Sequence, residues 1–224
     1  MVSTLGTVIR KFDVPADLEA DLLEFYEGQD IYPLTDLESM RGELGQLLGA
    51  YILFYKGPHE LYTPVTAANQ QNFTQPIYIG KAVPKGDRTG EGAKKAVLEN
   101  SLYKRLYEHS RSIAQVENLD VADFHFKVVP TTLHLSAWVE SVLISKFVPA
   151  WNRHIDGFGN HDPGSGRYNQ KRSVWDQVHP GRSWATRMSN LAVYDVAELR
   201  SRISARHHAE EVSVEEAIEE ASEK

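Results

Sequence analysis

Gly49-Ala50-Tyr51-Ile52-Leu53-Phe54-Tyr55 and Pro76-Ile77-Tyr78-Ile79-Gly80 are the two stretches whose reading decides the fold. Each is a short apolar run, rich in β-branched and aromatic residues and bounded by glycine or proline, as buried strands are. Tyr51 and Tyr78 are the polar handles on these strands. A buried phenol without a partner is costly, so two near one place imply either a hydrogen-bonded core or a site. The two runs alone leave both open.

Upstream, Pro15 to Gly28 reads as a helix, with Leu18, Leu22, Phe25 and Tyr26 at helical spacing and Gly28 as the stop. Tyr32-Pro33 breaks regularity before Thr35-Asp36-Leu37-Glu38, which has the form of a capping box. After the strand 50–56, Lys56-Gly57-Pro58 signals a turn. Glu60 to Thr63 is expected to pair back as a hairpin, and the polar residues 64–75 to form a loop. Residues 81–93 read as a cationic glycine-rich surface loop carrying Lys81, Lys85 and Arg88. Its glycines do not make a phosphate loop, because Ala-Lys-Lys follows Gly92 where Lys-Ser or Lys-Thr is required.

Downstream, the spacing predicts a helix over 94–114. Leu98, Leu102, Leu106 and Ile113 face the core, and Arg105 and His109 share another face. Phe124, Phe126 and Val128 alternate along a third strand that Pro130 ends. A helix over 133–147 places Glu140 among Leu135, Val139, Val142, Leu143 and Ile144. Residues 150–190 are rich in Gly and Pro, with Arg153, Arg167, Lys171, Arg172, Arg182 and Arg187 interleaved with Trp175 and Trp184. A stretch of that kind in a compact domain is usually functional or disordered, and its aromatics argue against disorder. A helix over 195–208 points Leu199 and Ile203 inward, before an acidic tail. His207-His208 beside Glu210 lacks the His-Glu-x-x-His pattern and reads as an exposed helix end.

Composition limits the function classes. The 224 residues suffice for one well-buried domain with arms, and with no cysteine there is no disulfide, thiolate metal site or cysteine nucleophile. No apolar run approaches a membrane span and no signal segment opens the chain, so a soluble, cytoplasmic protein is expected. The net charge of −7 is unevenly spread. Residues 1–50 carry −7 and 191–224 carry −5, whereas 51–190 carry +5. A basic centre is compatible with gripping a polyanion.

Taken in order, Gly49-Ala50-Tyr51, Tyr78-Ile79-Gly80-Lys81, Arg105 with His109, and Glu140-Ser-Val-Leu-Ile144 running to Pro149-Ala-Trp-Asn152 resemble the GIY-YIG nuclease superfamily. The resemblance covers roughly 48–152. Ala50 replaces the name-giving isoleucine, a change of packing and not of chemistry. The two tyrosines stand 27 positions apart, well beyond the usual spacing, which implies an insertion across 57–75. With its N-terminal arm and its Gly-Phe-Gly-x-His-Asp-Pro-Gly tail, the chain is similar to the superfamily's type II restriction endonucleases. These cut palindromic, GC-rich duplex DNA as homodimers, some at CCGCGG.

The resemblance implies an α/β (α+β) fold: a small central antiparallel sheet of about three strands, flanked by helices. A single domain is expected, with an arm over 1–48, a catalytic core over 49–152 and a recognition extension over 153–224. The implied catalytic set is Tyr51, Tyr78, Arg105, His109, Glu140 and Asn152. Glu140 is the ligand for one Mg²⁺, with Mn²⁺ as a substitute, because Mg²⁺ favours few carboxylates with waters and phosphate oxygens. Arg105 suits a phosphate, since a guanidinium makes bidentate charge-assisted bonds. Tyr51 is the implied base or water-positioning group, its pKa expected to fall beside Lys81, Arg105, the metal or His109. Tyr78 is expected to orient water or phosphate, and Asn152 to fix a loop or hold a phosphate oxygen. DNA contacts are expected from Lys81, Lys85, Arg88, Arg153, Arg167, Lys171, Arg172 and Arg182, without telling base from phosphate contacts. Two rivals stand beside a site-specific double-strand nuclease: a weakly or structure-specific nuclease, and a catalytically dead DNA-binding module on the same scaffold.

Overall fold

The computed structural model describes residues 15–83, 101–132 and 135–204. Lys85, Arg88 and the rest of the expected loop beyond Val83, the stretch 94–100 of the expected helix, His207-His208 and the acidic tail lie outside the described residues. At the centre is β2 (Gly49–Tyr55), buried at every position. It pairs antiparallel with β3 (Pro76–Ala82) on one side and β4 (Phe124–Pro130) on the other. The short β1 (Tyr32–Pro33) adds to β4, so the order is β1-β4-β2-β3. The sheet therefore has four strands where about three were expected. Tyr32-Pro33, which looked like a break in regularity, is its outer strand.

Alternation along β2 explains the layers. Tyr51, Leu53 and Tyr55 face a cluster with Leu102, Leu106 and Ile113 of α4 (Leu102–Ala114). Ala50, Ile52 and Phe54 face Leu22 and Tyr26 of α1 (Ala16–Glu27) and Val139 and Leu143 of α5 (Ser136–Phe147). Each large side chain so buried contributes about 1.5–3 kcal/mol. Because both faces are covered, β4 cannot keep a wet face either. Lys127 is buried there, and its ammonium donates to the carbonyls of Tyr26 (3.3 Å) and Glu27 (3.4 Å) at the end of α1. Gly49 opens β2 at φ +145°, where a Cβ would stand 2.2 Å from the carbonyl oxygen of Val129, so only glycine fits.

Several local expectations are corrected. Residues 60–63 do not return as a strand. Glu60–Tyr62 form a 3₁₀ turn, capped by His59 accepting from the Leu61 amide (3.3 Å), and α3 (Thr63–Ala68) follows with Pro64 in its first turn. The expected loop thus begins as helix. Asn69 is fully buried and closes the insertion by donating to the carbonyls of Tyr55 (3.1 Å) and Gln75 (2.9 Å) and accepting from the Gln75 amide (3.0 Å). The Thr35 capping box does not form. Pro33 precedes a 3₁₀ helix over Leu34–Met40, which runs on into α2 (Arg41–Leu44), and the Thr35 hydroxyl donates to Asp36. On α1, Leu22 and Tyr26 are buried but Leu18 and Phe25 are exposed.

Among the described residues α4 runs from Leu102, with Ser101 as its cap, and α5 from Ser136; residues 94–100 and 133–134 of the expected helices lie outside them. After α5 come α6 (Ala150–Arg153), α7 (Val174–Val178) and a two-stranded parallel pair, β5 (Lys171–Arg172) with β6 (Asn190–Leu191). Helix 196–204 closes the described chain with Leu199 and Ile203 buried, as expected.

Candidate active site

Tyr51 and Tyr78 project from β2 and β3 toward α4, while the next residues on β3, Gly80 and Lys81, lie at the outer edge of the sheet. Gly80 faces Tyr51 in the register, and a Cβ there would stand 2.3 Å from the Tyr51 hydroxyl oxygen. The glycine of the Tyr-Ile-Gly strand is thus the space that the first tyrosine occupies. Across that edge Glu140 of α5 meets Lys81 in an ion pair. Arg105 arrives from α4, and Gly159 and His161 from the loop after α6. Together these side chains line a cleft of about 330 Å³. A larger groove of about 710 Å³, between α1 and the start of α5, is lined mainly by apolar residues such as Leu18, Leu22, Phe25 and Val139. It lacks the convergent charges of the smaller one, so the chemistry is placed in the cleft.

The floor is a hydrogen-bonded pair. The Tyr51 hydroxyl lies 2.7 Å from Nε2 of His109, and both side chains are buried. Burial, then the charge of Arg105, pushes the His109 pKa well below its usual value, so the imidazole is neutral. A neutral ring with its lone pair on Nε2 takes the phenolic proton as a hydrogen bond. Burial, then the neighbouring Tyr78, pushes the Tyr51 pKa well above the ordinary phenol value, and Arg105 opposes this only in part. This reverses the expectation that nearby cations lower it: removal from water outweighs them. Tyr78 shifts upward for the same leading reason.

Arg105 is half-buried. Its Nη1 donates to Glu108 (2.6 Å) and to Nε2 of His161 (3.3 Å). Glu108, one turn along the same helix, thus anchors an arginine that lines the cleft. Asn152 does not line the cleft. Its carboxamide accepts from the Ile79 amide (2.8 Å) and donates to the Ile79 carbonyl (2.8 Å), bracing β3 between Tyr78 and Lys81.

The expected DNA-contacting residues separate. Arg182 is only 1% exposed. Its Nε donates to Asp176 (2.6 Å), and its Nη atoms donate to the carbonyls of Gly157 (2.9 Å), Phe158 (3.0 Å) and Asn160 (3.1 Å). It also lies over the rings of Trp175 and Trp184. A side chain so enclosed cannot reach DNA, and its place is structural. Arg172 is tied to the carbonyls of Thr186 and Met188. Arg153, Arg167 and Lys171 are exposed, with no side-chain bond to the described residues. Arg187 is exposed and donates to the Tyr168 hydroxyl (2.8 Å).

Sequence reasoning missed His161 and Gly159 as cleft residues. The signal was the turn-rich Gly157-Phe158-Gly159-Asn160-His161 run, whose Phe158 stacks on the His109 ring at 4.4 Å.

Residues 43–222 match the family model described as the Eco29kI GIY-YIG domain. No curated protein matches the chain. The matched span takes in every side chain of the cleft and continues through the extension beyond Asn152. The tyrosine pair on adjacent strands, the helical arginine and the helical glutamate thus stand together inside that span, and the chain belongs to the Eco29kI family of GIY-YIG nucleases.

Proposed function

We propose that the chain is a type II restriction endonuclease, hydrolysing phosphodiester bonds of double-stranded DNA at a palindromic site, with CCGCGG as the candidate sequence. The observation that carries this reading is the convergence, in one cleft, of a proton-accepting pair (Tyr51 with His109), two cations (Arg105 and Lys81) and one carboxylate (Glu140). Phosphodiester hydrolysis asks for a route for the water's proton and neutralisation of the phosphate, which the pair and the two cations offer, and for charge stabilisation at the departing oxygen, which a divalent cation held by Glu140 would supply.

The elevated phenol pKa favours a relay over a standing phenolate. As water attacks, the Tyr51 oxygen accepts its proton while passing its own to Nε2 of His109. Burial and Arg105 oppose the imidazolium as burial opposes the phenolate, so the proton rests on His109 only while the negative charge of the attacked phosphate offsets it. Arg105 and Lys81 hold the phosphate oxygens, and Tyr78 orients the water. Asn152 acts at one remove, through β3.

Glu140 fits a single Mg²⁺. It is a cleft carboxylate, and among the described residues no group of three His, Cys, Asp or Glu side chains gathers to hold a metal. Its present partner is the Lys81 ammonium, whose place an ion would take. A single carboxylate completed by waters and phosphate oxygens is the usual Mg²⁺ arrangement, with Mn²⁺ able to use the same donors. Bound there, the ion would supply Lewis acidity at the phosphate.

Sequence readout falls to Arg153, Arg167, Lys171 and Arg187, which have the exposure that Arg182 lacks. A palindromic target calls for two copies related by a two-fold axis. Digestion of unmethylated plasmid DNA with Mg²⁺, beside an EDTA control, tests the reading. Discrete fragments that disappear with EDTA are expected, and sequencing their ends gives the site. A smear would indicate a weakly specific nuclease, and uncut DNA retarded on a gel would indicate a dead binding module.

A further inference from the structure

His161 comes from the extension and not from the catalytic core, yet it stands in the cleft wall with its Nε2 3.3 Å from Nη1 of Arg105 and 3.9 Å from a carboxylate oxygen of Glu108. Arg105 is thereby gripped on one nitrogen by two acceptors from different parts of the chain. Glu108 belongs to the same helix and moves with it, whereas His161 fixes the guanidinium relative to the rest of the site. Holding Nη1 leaves the remaining N–H groups for Tyr51 and a phosphate.

The loop carrying His161 is itself immobilised. Arg182 bonds three of its carbonyls, at Gly157, Phe158 and Asn160, and is neutralised by Asp176. Phe158 is wedged between the His109 ring, the Tyr78 ring and Trp151. A side chain on such a base is a precise support, and positional error at a reacting centre is expensive. His161 also lines a second polar cleft of about 330 Å³, with Arg167 and Lys171, two of the exposed cations assigned to DNA. It is therefore the shared wall between the recognition segment and the catalytic cleft.

We propose that His161 is a positioning residue for the nuclease reaction: its imidazole accepts from Arg105 and holds the guanidinium in the orientation that engages the scissile phosphate. The inference rests on Arg105 being the phosphate-binding group. It uses the imidazole as an acceptor, so a carboxamide of similar reach can stand in for it. More than half of the His161 side chain is exposed, so its replacement leaves the fold intact.

The test uses the full-length enzyme and a DNA duplex that it cuts. Single-turnover cleavage and DNA affinity are measured for His161→Ala, His161→Gln and Arg105→Ala, together with ¹⁵N spectra of the Arg105 Nε–H group. His161→Ala is expected to slow the cleavage step about ten- to a hundredfold, with affinity within about twofold of wild type. His161→Gln is expected to restore most of the rate, and the Arg105 signal to shift or broaden in His161→Ala alone. Wild-type cleavage by His161→Ala beside an inactive Arg105→Ala overturns the positioning role and leaves the phosphate assignment standing. A loss in His161→Ala explained wholly by weaker binding, or not restored by Gln, also overturns it. An active Arg105→Ala overturns the phosphate assignment, and the positioning role with it.

Discussion

The hydroxyl of Tyr51 lies 2.7 Å from Nε2 of His109, and Gly80, its cross-strand partner on the edge strand β3, leaves the space that this hydroxyl occupies. A Cβ at position 80 would stand 2.3 Å from the Tyr51 oxygen and 2.5 Å from its ring carbon. Gly80→Ala must therefore push the phenol off His109. Cleavage is expected to drop about a hundredfold, with circular dichroism unchanged. A Gly80→Ala enzyme as fast as wild type would show that the Tyr51–His109 contact is not used.

Glu140→Gln removes the charge that would hold a cation but keeps the side chain's size. Cleavage is expected to vanish while DNA binding survives or tightens, since the Lys81 charge is released toward the phosphate. Gel retardation beside a digest reads both quantities. Full cleavage by this variant rules out Glu140 as the metal ligand.

Asn152→Ala tests a brace and not a chemical group. Losing the two 2.8 Å bonds to Ile79 is expected to cost about 1–3 kcal/mol. Urea denaturation should show this with no change in the pH dependence of the remaining activity. A stability equal to wild type would return Asn152 to the list of direct phosphate contacts.

Arg182→Ala leaves Asp176 buried and uncompensated, both partners being 1% exposed. Breaking such a pair costs about 3–5 kcal/mol, readable as an earlier urea midpoint. Retained stability with weakened DNA binding would contradict its placement as a buried support.

Two buried histidines set the acid response. Burial, then His59 and Arg182, brings the His179 pKa down from 6.5 to about 3, and His109 is held well below its ordinary value. Below pH 6.5 the unfolded chain binds protons at these sites that the folded chain refuses, so stability is complete above that pH and is lost as pH falls. The slope is about 1.4 kcal/mol per pH unit for each histidine. Melting temperature should therefore begin to fall just below pH 6.5, before carboxylates protonate. A midpoint that stays level down to about pH 4 would contradict this.

The strands around Tyr51 and Tyr78 and the positions of Arg105 and Glu140 were legible because motif order and strand patterning survive the insertion between the two tyrosines. The insertion itself was not. Its helix depends on the His59 and Pro64 start and on Asn69 bonding back to Tyr55, contacts that no periodicity announces. Arg182 was misread for a related reason. Its neighbours in sequence are those of an exposed recognition loop, while its partners Asp176, Gly157 and Phe158 are assembled only by the fold. The Tyr51 pKa was misjudged because the sequence counts nearby charges but not the depth of burial that outweighs them.

Each outer strand of the sheet is obstructed at one position. On β1, Pro33 has no N–H to offer; on β3, the carboxamide of Asn152 already takes the amide and the carbonyl of Ile79. The molecule therefore resists self-association by strand addition. In the palindrome-cutting pair proposed above, the two copies would meet through helices and loops and not by extending a continuous sheet.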